Sequence, residues 1–248
     1  MKIIMTPAKN VKAEVDCFAV ESQPVFLTYT QTILSSLQQL SAYQLQKILK
    51  CSPRLAQKTY ETYQHMNLCE NQVPAFMAFK GIQFDHLAGE LFSYEEYDYI
   101  RRHIVILSGF YGILRPFDGI VPYRLELNTP VRIGEYRNLY QFWNRIIYDQ
   151  LIKDDHQLLD LGGKQYSRMI HKYLDDSIQY VQCRFKEKIA GKLVEKGVYV
   201  NMARGEMIRY LVKHQISDFA GVRSFDMLGY RFDSKLSTKE QYIFVRER

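Results

Sequence analysis

Cysteine is scarce in this chain and is not arranged for metal or disulfide chemistry. Cys17, Cys51, Cys69 and Cys183 are scattered through 248 residues with no CxxC pair. That argues against a zinc site or a disulfide framework and predicts reduced, mostly buried thiols. Long apolar runs are also missing. The longest, such as Ile104 to Leu107, fall far short of the roughly 20 residues that span a bilayer, so no membrane helix is expected. The first residues, Met1-Lys2-Ile3-Ile4-Met5-Thr6-Pro7, lack the apolar region and small-residue cleavage site of a secretory signal, and a cytoplasmic protein is expected. The six histidines show neither HxH nor HExxH spacing, and no Walker A, GxGxxG or G-x-S-x-G motif occurs. No metal and no cofactor are therefore expected, and the standard nucleotide-hydrolase and dehydrogenase readings lose most of their support.

Acidic residues are few where basic ones gather. Residues 1 to 100 hold 8 Lys and Arg against 10 Asp and Glu, whereas residues 101 to 248 hold 25 against 17. Between Glu21 and Glu61 there is no acidic residue, while Lys47, Lys50, Arg54 and Lys58 all fall there. With a net charge of +6 and a pI near 9.0, polyanions are plausible partners, although charge reports on association and not on fold. Aromatic content of 14%, with 19 tyrosines, is high for a globular chain.

The apolar pattern alternates between short β-like runs and helical spacing, which predicts an α/β fold (α+β mixed) in one domain over residues 1–248. Ile3 to Met5 reads as the first strand. Ile33, Leu34, Leu37 and Leu40 follow helical spacing, and a pair of helices is predicted over Ser41 to Tyr63, with Ser52-Pro53 as N-cap and first-turn proline. Phe76 to Phe79, Ile104 to Leu107 and Leu158 to Leu161 read as strands that each run into a lysine or a small residue. Strands that end this way deliver their loops to one rim of a sheet, where a site is expected. Tyr180 to Phe185 and Val198 to Val200 read as strands, Arg204 to Lys213 as a helix, and Tyr230 to Phe232 with Tyr242 to Val245 as a closing hairpin.

The segments at these loops resemble one family. Thr6-Pro7-Ala8-Lys9 looks like the Ser-Pro-Ala-Lys of the YaaA family of peroxide-stress proteins, and Ala78-Phe79-Lys80-Gly81 matches its AFKG element. The central block is the most specific: Leu107 to Pro116, then Pro122-Tyr123-Arg124-Leu125-Glu126, then Leu139-Tyr140-Gln141-Phe142-Trp143. Ala203-Arg204-Gly205-Glu206-Met207 resembles the family's ARG-x-M helix start, and Gly229-Tyr230 its GY element. The resemblance implies a protein of the oxidative stress response that limits peroxide and iron damage and binds duplex DNA. It also implies a compact cradle-like domain with a mixed sheet, flanking helices, a positively charged cleft and a helix-hairpin-helix-like element. Two segments depart from the pattern. Asp160-Leu161-Gly162-Gly163-Lys164-Gln165-Tyr166 lacks a Ser and a carboxylate that the family often has, and Asn201-Met202 stand where a Lys-Lys pair often precedes ARG.

Lys9, Lys80, Arg115, Arg124 and Arg204 are read as sitting after strands or in loops beside Pro or Gly, where arginine forks and lysine charges engage phosphate. Tyr123 joins them. Arg124 and Glu126 lie on one face and equally suit a plain ion pair. Lys47, Lys50, Arg54 and Lys58 on the helical pair suit either backbone contact with DNA or a solvated helix face, and the usual Gly-x-Gly hairpin is replaced by Lys50-Cys51-Ser52-Pro53. Tyr111, Tyr123, Tyr140, Phe142 and Trp143 suit either base stacking or core packing. Two functions follow. One is a DNA-binding protein that reads duplex phosphates with little base preference. The other is an enzyme acting on a nucleotide, nucleobase or damaged DNA, with Glu126 as acid or base and Lys9, Lys80, Arg115 and Arg124 holding a small-molecule or backbone phosphate.

Overall fold

The computed structural model describes residues 1–15 and 18–247; Cys17 lies outside them. Strand β1 (Lys2–Met5) forms where Ile3, Ile4 and Met5 are fully buried, as expected of a central strand covered on both faces. After β2 (Asn10–Val11) come three helices, α1 (Leu27–Gln38), α2 (Ala42–Leu49) and α3 (Pro53–Gln64). Their ends follow from side-chain caps. Ser41 and Gln44 exchange reciprocal bonds in a capping box at α2, and Ser52 Oγ accepts the Leu55 N–H at α3, where Pro53 opens the helix.

The next segment is β3 (Val73–Pro74), α4 (Ala75–Ala78), β4 (Phe79–Lys80), α5 (Ile82–Leu87) and α6 (Tyr94–His103). Then follow β5 (Ile104–Ser108), β6 (Gly112–Leu114), β7 (Gly119–Ile120), α7 (Leu139–Trp143), α8 (Ile146–Leu151) and β8 (Gln157–Asp160). The remainder is α9 (Lys164–His171), β9 (Gln179–Ile189), β10 (Lys192–Val194), α10 (Gly197–Lys213), α11 (Phe219–Val222), β11 (Arg231–Phe232) and β12 (Gln241–Glu247).

One mixed sheet organises the molecule, in the order β11-β12-β9-β8-β1-β5-β6, with β10 also on β9. Its interior pairs, β5 with β1, β1 with β8, β8 with β9 and β9 with β12, are parallel, and β6, β10 and β11 attach antiparallel. The fold class is thus mixed α/β, and the closing hairpin forms as β11 and β12. No helix among the described residues is long and apolar enough to cross a membrane. Cys183 is buried, Cys51 half-buried and Cys69 exposed, all as free thiols.

Two elements differ from the sequence expectation. Phe76 to Phe79 is mostly the short helix α4, and only Phe79 joins a strand. A four-residue apolar run carries no period that separates strand from buried helix, and here the Ala75 and Phe76 N–H groups donate to Asp118 and Pro116 carbonyls instead of to a ladder. Val198 to Val200 lies in α10, which starts at Gly197 and not at Arg204. Val200, Ala203, Met207, Ile208 and Leu211 are buried along one face of that helix, and this packing overrides the β preference of two valines. Arg204 is consequently a mid-helix residue.

Candidate functional site

The carboxyl ends of three neighbouring parallel strands meet at one rim. β1 leads into Thr6-Pro7-Ala8-Lys9, β8 into Leu161-Gly162-Gly163, and β5 into Gly109. Gly109 has a specific reason to lack a side chain. A Cβ there would lie 2.8 Å from the Leu127 nitrogen and 2.9 Å from the Glu126 carbonyl carbon, so glycine lets the segment Leu125–Leu127 cross the end of β5 in direct contact. Trp143 holds the same residue from the other side, its Nε1–H donating to the Gly109 carbonyl at 3.0 Å.

That crossing segment is also tied to the helical pair. The Tyr63 hydroxyl, at the end of α3, donates to the Arg124 carbonyl at 2.8 Å and accepts the Arg124 N–H at 3.2 Å. Burial pushes the Tyr63 pKa upward, so the hydroxyl remains a donor. At the other end of the pair, Lys50 takes a left-handed conformation (φ 48°) that ends α2 and turns the chain toward α3.

A cavity of about 470 Å³ opens between these parts. Its wall carries four cations, Lys9, Lys50, Arg124 and Arg204, and a single carboxylate among the described residues, Glu126. Glu126 Oε2 lies 2.8 Å from Lys9 Nζ. The ion pair expected between Arg124 and Glu126 is thus replaced by one between strand-end loop and crossing segment, and Arg124 has no ion-pair partner among the described residues. Arg204 reaches in from α10, with Nη2 donating to the Gly162 carbonyl at 2.8 Å and Nη1 3.4 Å from Asn201 Oδ1. Burial lowers the Arg204 pKa from its ordinary value, opposed by the charge of Asp160, yet guanidinium stays protonated. Arg204 Nε and Gln165 Oε1 are buried without a partner.

Behind the wall, fully buried Asp160 organises the Gly162-Gly163 loop. Its Oδ1 accepts the Gly162 N–H at 2.6 Å, and its Oδ2 accepts the Tyr180 hydroxyl at 2.5 Å and Gln182 Nε2 at 3.4 Å. Gly162 is thereby held between a buried anion on its amide and a cation on its carbonyl.

Lys58 lines a shallow groove that shares Lys9, Tyr123 and Arg124 with the cavity. Lys47 is exposed with its ammonium 4.3 Å from the centre of the Tyr43 ring, and Arg54 is exposed on α3. Lys80 lines a separate cavity beside Lys12 and Phe84. Arg115 is not brought to the rim, since it pairs with buried Asp118 at 2.9 Å and donates to the Gln23 carbonyl. Tyr123 lines the cavity edge, but its ring stacks on Phe110 and its hydroxyl meets Ser108 Oγ at 2.7 Å. Tyr111, Phe142 and Trp143 are core residues, and only Tyr140 of that group keeps partial exposure. Gln165, Asn201 and Asp160 were visible in the sequence only as departures from a familiar pattern. Their positions in the cavity wall or behind it depend on which strand ends become neighbours, and no local period encodes that.

Comparison with known proteins agrees over the whole length. The sequence pattern described as peroxide stress protein YaaA matches residues 1–236. A UPF0246 protein of Desulfitobacterium hafniense is 42% identical over 246 residues, covering 99% of this chain and 98% of that protein. UPF0246 proteins of Agathobacter rectalis and Pediococcus pentosaceus are 37% and 39% identical, with at least 98% of each chain covered. The chain therefore belongs to the peroxide stress protein YaaA family.

Proposed function

We propose that this protein binds duplex DNA in the peroxide stress response, engaging phosphates through the rim cavity and its adjoining groove with little base preference. The observation that carries this reading is the charge of the wall: four cations face one carboxylate, and the groove that continues from it through Lys9, Lys58 and Arg124 has no acidic lining residue among those described. Exposed lysines and a half-buried arginine suit phosphate oxygens, which ask for charge and N–H donors and supply no sequence information. The α2–α3 pair carries Lys50 on the cavity and Lys58 on the groove, so a backbone lying along this face meets cations from both the two helices and the sheet rim. Arg115, held by Asp118 and Gln23, is left outside this interface.

The reading is tested by fluorescence anisotropy of a labelled duplex across a salt series. Phosphate-led binding loses affinity along a straight line in the logarithm of salt, with a slope of about −0.9 per phosphate neutralised. Affinity that does not change between low and moderate salt contradicts it.

A further inference from the structure

The cavity is much smaller than the face of a duplex and differs chemically from the groove beside it. Its volume of about 470 Å³ is on the small-molecule scale of about 300–1,000 Å³. Two buried polar atoms in its wall region lack partners. Arg204 Nε is a donor and Gln165 Oε1 an acceptor. The orientation of the Gln165 carboxamide is fixed by its neighbour, because Nε2 lies 3.5 Å from Glu126 Oε1, and reversing the group would set its oxygen against that carboxylate.

The donor and the acceptor ask for different things. Arg204 Nε, with Lys9, Lys50 and Arg124, asks for an anion. Gln165 Oε1 asks for a hydrogen-bond donor, N–H or O–H, which a phosphate ionised as a dianion does not carry, and unpaired buried polar atoms are costly enough to expect a partner. A ligand satisfying both carries a phosphate at one end and a donor group at the other, a sugar hydroxyl or the amino or imino N–H of a base. Carboxamides are also the side chains that pair with base edges, and Asn128 and Asn201 stand in the same wall. Apolar surface for the faces of a ring is supplied by Pro7, Leu49 and Pro130.

We propose that the rim cavity is a nucleotide pocket that takes one nucleoside monophosphate unit, its phosphate on Lys9, Lys50, Arg124 and Arg204 and its base against Gln165. The proposal rests on the phosphate-binding reading of the same cations and adds recognition of a base. Such a unit has two sources, a free mononucleotide or a single nucleotide turned out of a bound strand.

Two measurements distinguish the sources. In calorimetric titrations of the full chain, the four common nucleoside 5′-monophosphates are compared with ribose 5-phosphate and inorganic phosphate. At least one monophosphate is expected to bind about tenfold more tightly than ribose 5-phosphate, and Gln165→Leu is expected to remove that difference while leaving phosphate binding in place. In the second measurement, a duplex carrying one 2-aminopurine is titrated with protein, and an emission change that Gln165→Leu abolishes identifies the strand as the source. Either positive result supports the pocket, and the ribose 5-phosphate comparison needs no variant. If neither a monophosphate exceeds ribose 5-phosphate nor 2-aminopurine responds, the pocket is overturned. Salt-dependent binding of plain duplex then leaves the DNA-binding reading standing, and its absence removes both.

Discussion

Lys9 Nζ and Glu126 Oε2 are 2.8 Å apart, so a lysine from the loop after β1 is neutralised by the one carboxylate on the segment crossing the end of β5. The pair is open to solvent, with side-chain exposures of 59% and 37%, and exposed pairs contribute little to stability. Its effect is on the field of the cavity, where Lys50 and Arg124 remain without a compensating carboxylate and Arg204 is balanced from behind by Asp160.

Replacing that carboxylate tests this directly. Glu126→Gln frees Lys9 and adds one net positive charge to the wall, so affinity for duplex at low salt is expected to rise by about two- to tenfold with a steeper salt dependence. The unfolding midpoint in urea is expected to stay unchanged. A fall in affinity contradicts this account of Glu126 and indicates that the carboxylate contacts the ligand.

Asp160 acts from behind the cavity. Asp160→Asn places an amide N–H among the Gly162 N–H, the Tyr180 hydroxyl and Gln182 Nε2, all of them donors to the native carboxylate. A cost of about 3 kcal/mol is expected, measurable by urea unfolding, together with weaker duplex binding as Gly162 loses its fixed position under Arg204. Unchanged stability rules out the organising role.

Gly205 is the contact point of α10 on α5. A Cβ at Gly205 would meet the Gln83 carbonyl oxygen at 2.2 Å, whereas one at Gly197, in the same helix, meets nothing within 4 Å. Gly205→Ala is expected to destabilise by about 3 kcal/mol, and Gly197→Ala to be neutral or stabilising by about 0.5 kcal/mol. Equal unfolding midpoints for the two variants contradict the packing described.

His103, at the end of α6, has Nδ1 2.8 Å from the Met1 carbonyl. Burial lowers its pKa below the ordinary value, a bond to that carbonyl opposes the shift, and the nearby charges of the N-terminal ammonium, Arg102 and Lys2 add to it. The unfolded chain then binds this proton more readily than the folded one. Its contribution is complete above the unfolded pKa of about 6.5 and is lost as pH falls from there through the lower folded value. Urea midpoints at pH 7.5 and 5.5 are expected to drop less in His103→Gln than in the native chain, and an equal drop contradicts this assignment.

Much of the fold is legible in the sequence where a local rule governs it. Ile3 to Met5, Ile104 to Leu107 and Leu158 to Leu161 read as buried strands because each is a continuous apolar run, and Ser52-Pro53 marks a helix start by capping chemistry. Phe76 to Phe79 and Val198 to Val200 are misread because short apolar or β-branched runs take their conformation from partners distant in the chain. The site divides in the same way. Lys9, Lys50, Arg124, Glu126 and Arg204 stand out as charges at loops or in motifs, and the structure brings them together. Arg115 and Lys80 carry the same sequence signal but face elsewhere: Asp118 captures Arg115, and Lys80, although β4 pairs with β2 just after Lys9, lines a separate cavity with Lys12.

Duplex anisotropy across a salt series with the native chain, Lys50→Ala/Arg124→Ala and Arg115→Ala tests whether DNA binds at the rim cavity. The double variant is expected to bind more weakly, with the magnitude of its salt slope reduced by about two, while Arg115→Ala matches the native chain. If the double variant binds as the native chain does, or if Arg115→Ala alone loses affinity, the rim cavity is not where this protein meets DNA.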